Sequence, residues 1–289
     1  VQKWIEPMVT NLWRSACDPQ RITTTRIIRW NGKQYVEVED QLTIEEPLEI
    51  RLGGESLAVI MRTPGHDEEL AAGFLFSEGL ICQPQELRGV FAAVDADGLP
   101  LANVVEVVLA PEVAAVPGRM MSRHFSVSAS CGLCGKTCLD ALFREVSPLV
   151  DDDIKVAPET LYRLPHILRE QQAIFHSTGS LHAAALFTRY GELRMLREDV
   201  GRHNAVDKLV GRAIFDGTLP LLDSILLVSG RVSLEIVQKA MLARVPIVAA
   251  ISGPSDLAVD LARRGGLTLI GFLREQRMNV YAGAERISL

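Results

Sequence analysis

The sequence predicts an α+β N-terminal domain followed by a three-layer α/β/α domain, and three observations carry that expectation. Residues 26–62 alternate apolar and polar side chains around tight-turn dipeptides, the pattern of antiparallel strands. Residues 225–272 instead alternate short, wholly apolar runs with helical segments, which calls for parallel strands buried between helices. Between them, Pro111, Pro117 and Gly118 open a polar stretch in which regular structure lapses. A chain of 289 residues with 48% hydrophobic content can bury two cores of ordinary size. The expected division is an arm at 1–24, an α+β domain at 25–125, a dithiol loop and linking helix at 126–150, and an α/β/α domain at 151–289.

Taken in order, residues 1–24 scatter Trp4 and Trp13 among polar residues without a period and predict the arm. Arg26–Trp30 and Gln34–Val38 flank Asn31-Gly32, both of which tolerate positive φ, and predict a hairpin. Leu48–Leu52 and Leu57–Arg62 follow across Gly53-Gly54 as two more strands. Asp67 then heads an apolar stripe of Leu70, Ala71, Phe74 and Leu75 that ends near Gly79, a short helix packed on the sheet. Val90–Val94 and Val104–Leu109 complete the first domain, and Met120–Ser130 forms a polar loop.

In the second half, Leu139–Val146 and Leu161–Phe175 predict helices, the latter with Pro165 as a potential kink. Ala183–Phe187 and Leu193–Glu198 form a hairpin around Tyr190-Gly191. The helix His203–Phe215 presents Val206, Leu209, Val210 and Ile214 on one face. Strand Ile225–Val228, a helix from Ser233 to about Arg244, strand Ile247–Ile251, a helix ending at Arg264 and strand Leu267–Phe272 then alternate.

Charge and cysteine usage exclude some functions. An excess of 36 acidic over 30 basic side chains gives a net charge of −6, so there is no global basic field for nucleic acid or an anionic membrane. No segment reaches the roughly 18 uninterrupted apolar residues of a membrane span, and no leader is recognisable. Five cysteines, an odd number in a chain too long to need staples, imply free thiols and a cytoplasmic location.

Cys131-Gly132-Leu133-Cys134-Gly135-Lys136 holds the most reactive constellation in the chain. As a zinc site it would need two further ligands, and Cys138 with His124 is the only local supply, at irregular spacing. As a thioredoxin-like motif it should open a helix directly after a strand, which the preceding polar loop argues against. As a sulfur carrier, a glycine-flanked loop suits a thiol that visits a donor and then an acceptor, with Lys136 and Arg123 lowering the thiolate pKa. Carrier, metal and redox roles all remain open on this chemistry.

Anion chemistry belongs to the second domain. Ser229-Gly230-Arg231-Val232-Ser233 joins a strand to a helix, so that backbone N–H groups, two hydroxyls and a guanidinium meet where an anion can approach. Ser252-Gly253-Pro254-Ser255 is an uncharged counterpart, and an ordinary turn with a Ser N-cap explains it equally well. Neither is a P-loop, since the Gly-Lys-Ser/Thr ending is missing. His182 precedes a run of alanines, where a satisfied core histidine is the default. Glu198–Lys208 gathers Arg202, His203 and Asn204 at a helix start more densely than solubility requires, and predicts a polar-ligand pocket.

These stretches resemble a known family, the formate dehydrogenase accessory sulfurtransferases (FdhD/NarQ). The resemblance rests on Ala72-Gly73-Phe74-Leu75-Phe76-Ser77-Glu78-Gly79, Cys131–Gly135, His182-Ala183-Ala184-Ala185 and Glu198–Lys208. It continues through Ser229–Ser233 with Glu235 and Val237-Gln238-Lys239, and Leu267–Arg274 with Asn279-Val280-Tyr281, covering most of residues 26–281.

The resemblance implies a sulfurtransferase in which Cys131 becomes a persulfide with Cys134 as its partner. Sulfur would come from a cysteine desulfurase and pass to the molybdenum cofactor, bis-molybdopterin guanine dinucleotide, destined for the formate dehydrogenase catalytic subunit. It places cofactor binding on Ile270, Gly271, Phe272, Leu273, Arg274 and Glu275. Arg231, Ser229, His182, Arg202, His203 and Asn204 are the polar residues suited to the guanine and phosphate parts, and a guanine nucleotide is expected to substitute for the whole. No metal is expected on the protein itself.

The resemblance also implies a cytidine deaminase-like second domain. The deaminase reaction needs His-x-Glu and Pro-Cys-x-x-Cys, whereas His182-Ala183-Ala184 lacks the glutamate and Ser229–Ser233 lacks the cysteines, so that chemistry is excluded. A homodimer is expected, because the loop and the pocket lie on different domains and must approach each other.

Overall fold

The computed structural model of the chain describes residues 21–114, 125–127, 147–149 and 153–288. The first sheet has five strands in the order β5-β6-β3-β4-β7: β3 (Glu46–Leu52), β4 (Glu55–Arg62), β5 (Leu87–Val94), β6 (Pro100–Leu109) and β7 (Phe125–Val127). Strict alternation puts Leu48, Ile50, Ile60, Val105 and Val107 on its buried face. β1 (Ile22–Trp30) and β2 (Tyr35–Thr43) form a separate two-stranded ribbon around the expected Asn31-Gly32 turn. It is longer than the apolar alternation suggested, because Thr23–Thr25 and Glu39–Thr43 pair although they carry no apolar pattern.

The second sheet has six strands in the order β13-β12-β11-β10-β8-β9. They are β8 (His182–Thr188), β9 (Leu193–Asp199), β10 (Ser224–Val228), β11 (Ile247–Ala250), β12 (Thr268–Arg274) and β13 (Arg277–Ala282). Only β10, β11 and β12 pair in parallel; β8, β9 and β13 are antiparallel additions. β13 has no counterpart among the expected strands. Its exposed edge position lets it read Arg-Met-Asn-Val-Tyr-Ala, without a clean apolar run.

Helices cover both faces of this sheet. Leu161, Leu164 and Leu168 of α2 (Pro158–Gln171) pack on Ala183, Ala185, Phe187, Ile225 and Leu227. α4 (Arg202–Phe215), α5 (Leu234–Leu242) and α6 (Asp256–Arg264) lie on the other face. The helix expected over Leu161–Phe175 is two helices, α2 and α3 (Ala173–Thr178), and the break falls at Gln172 rather than at Pro165. The Glu198 carboxylate accepts the N–H groups of Ile174 and Phe175 at 3.1 and 3.0 Å, satisfying the start of α3 and restarting the helix there.

α1 (Asp67–Glu78) joins the two halves. Residues Glu69 to Phe76 are buried consecutively, so α1 is enclosed on all sides rather than resting one stripe on a sheet. It packs between the first sheet and α4, and one continuous apolar cluster runs from Leu48 and Ile50 through Leu70 and Phe74 to Leu209, Val228 and Val248. Gly79 in the left-handed conformation ends α1, its N–H returning to the Leu75 and Phe76 carbonyls.

Candidate functional site

One edge of the six-stranded sheet collects the polar residues singled out above. β9 and β10 end there, β8 begins there, and β11 and β12 run parallel to β10 toward the same side. Here α4, α5 and α6 begin, so their unpaired N–H groups face the same space. The two strand–helix loops are zipped together: the Val232 N–H donates to the Gly253 carbonyl at 3.2 Å, and the Ser255 N–H donates to the Val232 carbonyl at 2.9 Å. Ser255 caps α6 through its hydroxyl, as expected of an ordinary turn.

His182, Arg202 and Arg231 form a cationic group at this edge. A Cβ on Gly230 would lie 3.1 Å from His182 Nδ1 and 3.5 Å from the Arg202 Cβ, so the glycine lets the imidazole and the first turn of α4 close on the loop. Burial, then the charge of Arg202, holds the His182 pKa below its ordinary value; Asp199 opposes this and Arg231 adds to it. Among the described residues neither Arg202 nor Arg231 is paired with a carboxylate, and the Arg202 Nε is buried without a hydrogen-bond partner. Two uncompensated guanidinium groups beside a neutral imidazole favour a multiply charged anion.

The other expected residues divide by role. His203, 5% exposed, sets its Nε2 3.0 Å from Ser233 Oγ and 3.8 Å from Glu235 Oε2, linking the first turns of α4 and α5. Ser229 pins β8, its Oγ accepting the Ala183 N–H at 2.9 Å. Asn204 directs its amide donors to the Met61 carbonyl and to Asp199, at 2.8 and 2.9 Å, and so belongs to the junction between the two halves. At that junction, fully buried Asp199 also accepts Lys208 Nζ at 2.7 Å and the Thr63 N–H at 3.1 Å.

In the stretch 270–275, Ile270, Gly271 and Leu273 are buried, while Phe272, Arg274 and Glu275 are exposed. Phe272 adopts φ 53°, unusual for a bulky residue, and its N–H donates to the Ser252 carbonyl at 3.0 Å. Its ring lies over Gly253, where a Cβ would come within 2.6 Å of it. A Cβ on Gly271 would lie 3.0 Å from both Pro254 and the Tyr281 ring. Gly253 and Tyr281 thus join the site: both lie in stretches singled out above, Ser252–Ser255 and Asn279–Tyr281, but a glycine in a loop and a tyrosine on an unrecognised strand carry no local signal of meeting Phe272 and Gly271.

Cys131, Cys134, Cys138, Arg123, His124 and Lys136 lie outside the described residues. The strand that precedes them is described: Val127 of β7 pairs in parallel with Ile60 of β4, whose continuation, Thr63, is held by Asp199 and Lys208. Among the described residues no three His, Cys, Asp or Glu side chains converge as a metal-ligand set, and no helix is long and apolar enough to cross a membrane.

Comparison with known proteins places these residues in a wider context. The family model described as the FdhD/NarQ family matches residues 43–288. A sulfur carrier protein FdhD of Streptomyces avermitilis is 52% identical over 274 residues, covering 93% of this chain and 97% of the relative. One from Mycolicibacterium paratuberculosis is 47% identical over 266 residues, covering 91% and 97%. Among solved structures, a putative formate dehydrogenase accessory protein from Desulfotalea psychrophila superimposes with a TM-score of 0.70. It covers 93% of this chain and 100% of its own at 24% identity, a likeness of fold.

Proposed function

The chain belongs to the FdhD/NarQ family, and from that premise we propose that it is a cytoplasmic sulfurtransferase that carries sulfur from a cysteine desulfurase to the molybdenum cofactor of formate dehydrogenase. The Cys131 thiolate attacks the outer sulfur of the donor's persulfide; a Cys131–S bond forms, the donor's S–S bond breaks, and the donor leaves as thiolate. Cys134 stands by to accept or protect that sulfur. The acceptor, bis-molybdopterin guanine dinucleotide, is bound as substrate, and the formate dehydrogenase catalytic subunit is its destination. The hairpin β8–β9 followed by α4, β10, α5, β11, α6 and β12 supports the cytidine deaminase-like reading of the second half.

The observation that carries this reading is the pair of unpaired guanidinium groups, Arg202 and Arg231, beside His182 at the edge where three helices begin. A nucleotide diphosphate matches that charge, and the exposed Phe272 ring offers a flat apolar surface to a purine. Along the chain, Cys131 follows Val127, the last residue of β7, by four positions. Val127 itself is tied through β4 and Thr63 to the base of α4.

The test is sulfur loading. Incubated with a cysteine desulfurase and radiolabelled cysteine, the wild-type chain is expected to retain label that dithiothreitol releases, and Cys131→Ala is expected to retain none. Equal labelling of Cys131→Ala and wild type refutes the carrier role. About one tightly held zinc per chain, lost together with the fold in Cys131→Ala, would assign the dithiol to structure instead.

A further inference from the structure

One residue of the first half holds the turn from which the cationic edge is built. Thr63 follows the last residue of β4 and is 1% exposed. Its N–H donates to Asp199 Oδ2 at 3.1 Å, its carbonyl accepts Lys208 Nζ at 2.8 Å, and its Oγ1 accepts the Val200 N–H at 3.1 Å. Every polar group of Thr63 is thus directed at the segment from Asp199 to Lys208, which contains the β9–α4 turn.

That turn needs a partner from elsewhere in the chain. Val200 and Gly201 lie between β9 and α4, so their N–H groups have neither a ladder nor a helix to donate to. Asp199 Oδ1 takes the Gly201 N–H at 2.8 Å, but Gly201 is the N-cap of α4 and has no side chain with which to cap it. The Val200 N–H is left to Thr63. Thr63 is itself fixed on both sides. Arg62 before it donates to Asp67 at 2.9 and 2.8 Å and to Asn103 at 2.8 Å, and Pro64 after it confines it to extended backbone.

We propose that Thr63 is a positioning residue for the cationic edge: through the Val200 N–H its hydroxyl fixes the turn that aims Arg202, the first residue of α4, at a bound anion. Buried in the junction, Thr63 touches no ligand and acts through the turn alone. The proposal rests on the reading of Arg202 as an anion-binding residue. Valine has the shape of threonine but accepts no hydrogen bond, so Thr63→Val keeps the packing and both backbone bonds while stranding the Val200 N–H. Thr63→Ser keeps the acceptor.

Isothermal titration of the full chain with guanosine diphosphate tests it. Thr63→Val is expected to bind about tenfold more weakly than the wild type, and Thr63→Ser within about twofold of it. Arg202→Ala binds weakly by itself, and adding Thr63→Val to it is expected to change the affinity by less than about twofold, since the hydroxyl acts through that guanidinium. Thr218→Val removes a hydroxyl from the far end of α4, where it donates to the Ala213 carbonyl, and is expected to match the wild type. Hydrogen exchange on the wild type needs no variant to fold: the Val200 amide should exchange slowly for a turn residue, and more slowly still with the nucleotide bound.

A Thr63→Val chain that binds like the wild type overturns the proposal. So does a Thr63→Ser chain no better than Thr63→Val, an equal loss with and without Arg202, or a Val200 amide whose exchange ignores the nucleotide. A wild type that binds no guanosine diphosphate is a different failure, because it refutes the anion reading of the edge and removes the proposal with it.

Discussion

Gly73 of α1 and Asp207 of α4 meet backbone to backbone: a Cβ at Gly73 would lie 1.9 Å from the Asp207 carbonyl oxygen. The contact is reciprocal, since a Cβ at Gly211 would lie 1.8 Å from the Glu69 carbonyl oxygen. The two helices therefore approach as closely as helices can, which leaves the halves of the molecule little room to slide. Both glycines are requirements of packing rather than of backbone conformation.

Gly73→Ala should accordingly reverse the usual helix preference. In an isolated helix alanine would gain about 1 kcal/mol over glycine, but here it must push α4 away, at a cost of roughly 1–3 kcal/mol. Gly211→Ala should behave alike. Urea unfolding midpoints at unchanged slope report both, and a stabilised variant would contradict the close contact.

Lys208 neutralises Asp199 in a site closed to water and donates to the Thr63 carbonyl at 2.8 Å. Lys208→Met leaves that carboxylate buried with its cation gone and should cost about 3–5 kcal/mol. The double variant Asp199→Asn/Lys208→Met should recover part of the loss, because no uncompensated charge remains. Chemical denaturation of the three variants against the wild type measures the coupling.

Glu69 predicts the acid response. Burial pushes its carboxyl up, yet hydrogen bonds from Arg197 and His66, with their charges, bring it down to about 2 from an ordinary 4.5. The unfolded chain then binds the proton first as pH falls, so the stabilisation is complete above pH 4.5 and is lost between there and about 2. Glu69→Gln should be less stable at neutral pH and flatter across that window in thermal unfolding. Identical slopes for both proteins would place the acid response elsewhere.

Arg231 is exposed and free of carboxylate partners among the described residues, so its removal should leave the fold intact while weakening anion binding. Arg231→Ala is expected to bind guanosine diphosphate about tenfold more weakly, with a shallower dependence on salt because one cation fewer is screened. Isothermal titration at two ionic strengths separates the effects. Arg231→Lys should fall between the two, since an ammonium lacks the planar fork.

Much of this molecule was legible in one dimension. The Asn31-Gly32 hairpin, the helix closed by Gly79 and the alternation of strand and helix from Ile225 to Phe272 all follow from local periodicity and turn chemistry, and the structure has each of them. The cationic cluster was partly legible, because Arg202 and Arg231 each stand at a strand-to-helix junction, and parallel strands bring such junctions to one edge. Asn204 looked like a ligand residue by its neighbours in sequence, and only the fold turns its amide toward Met61 and Asp199.

Sequence by itself determined most of the elements, the family and the residue types at the cationic edge, because those depend on side chains a few positions apart; it missed β7 inside the expected loop Met120–Ser130 and the helix break at Gln172. Tertiary structure alone decided that β13 completes the second sheet, that Gly253 and Tyr281 flank Phe272 and Gly271, and that α1 is clasped against α4. Those relations join residues as far apart along the chain as Gly73 and Asp207. They rest on where a Cβ is missing or a lone pair is met, and no local pattern along the chain encodes either.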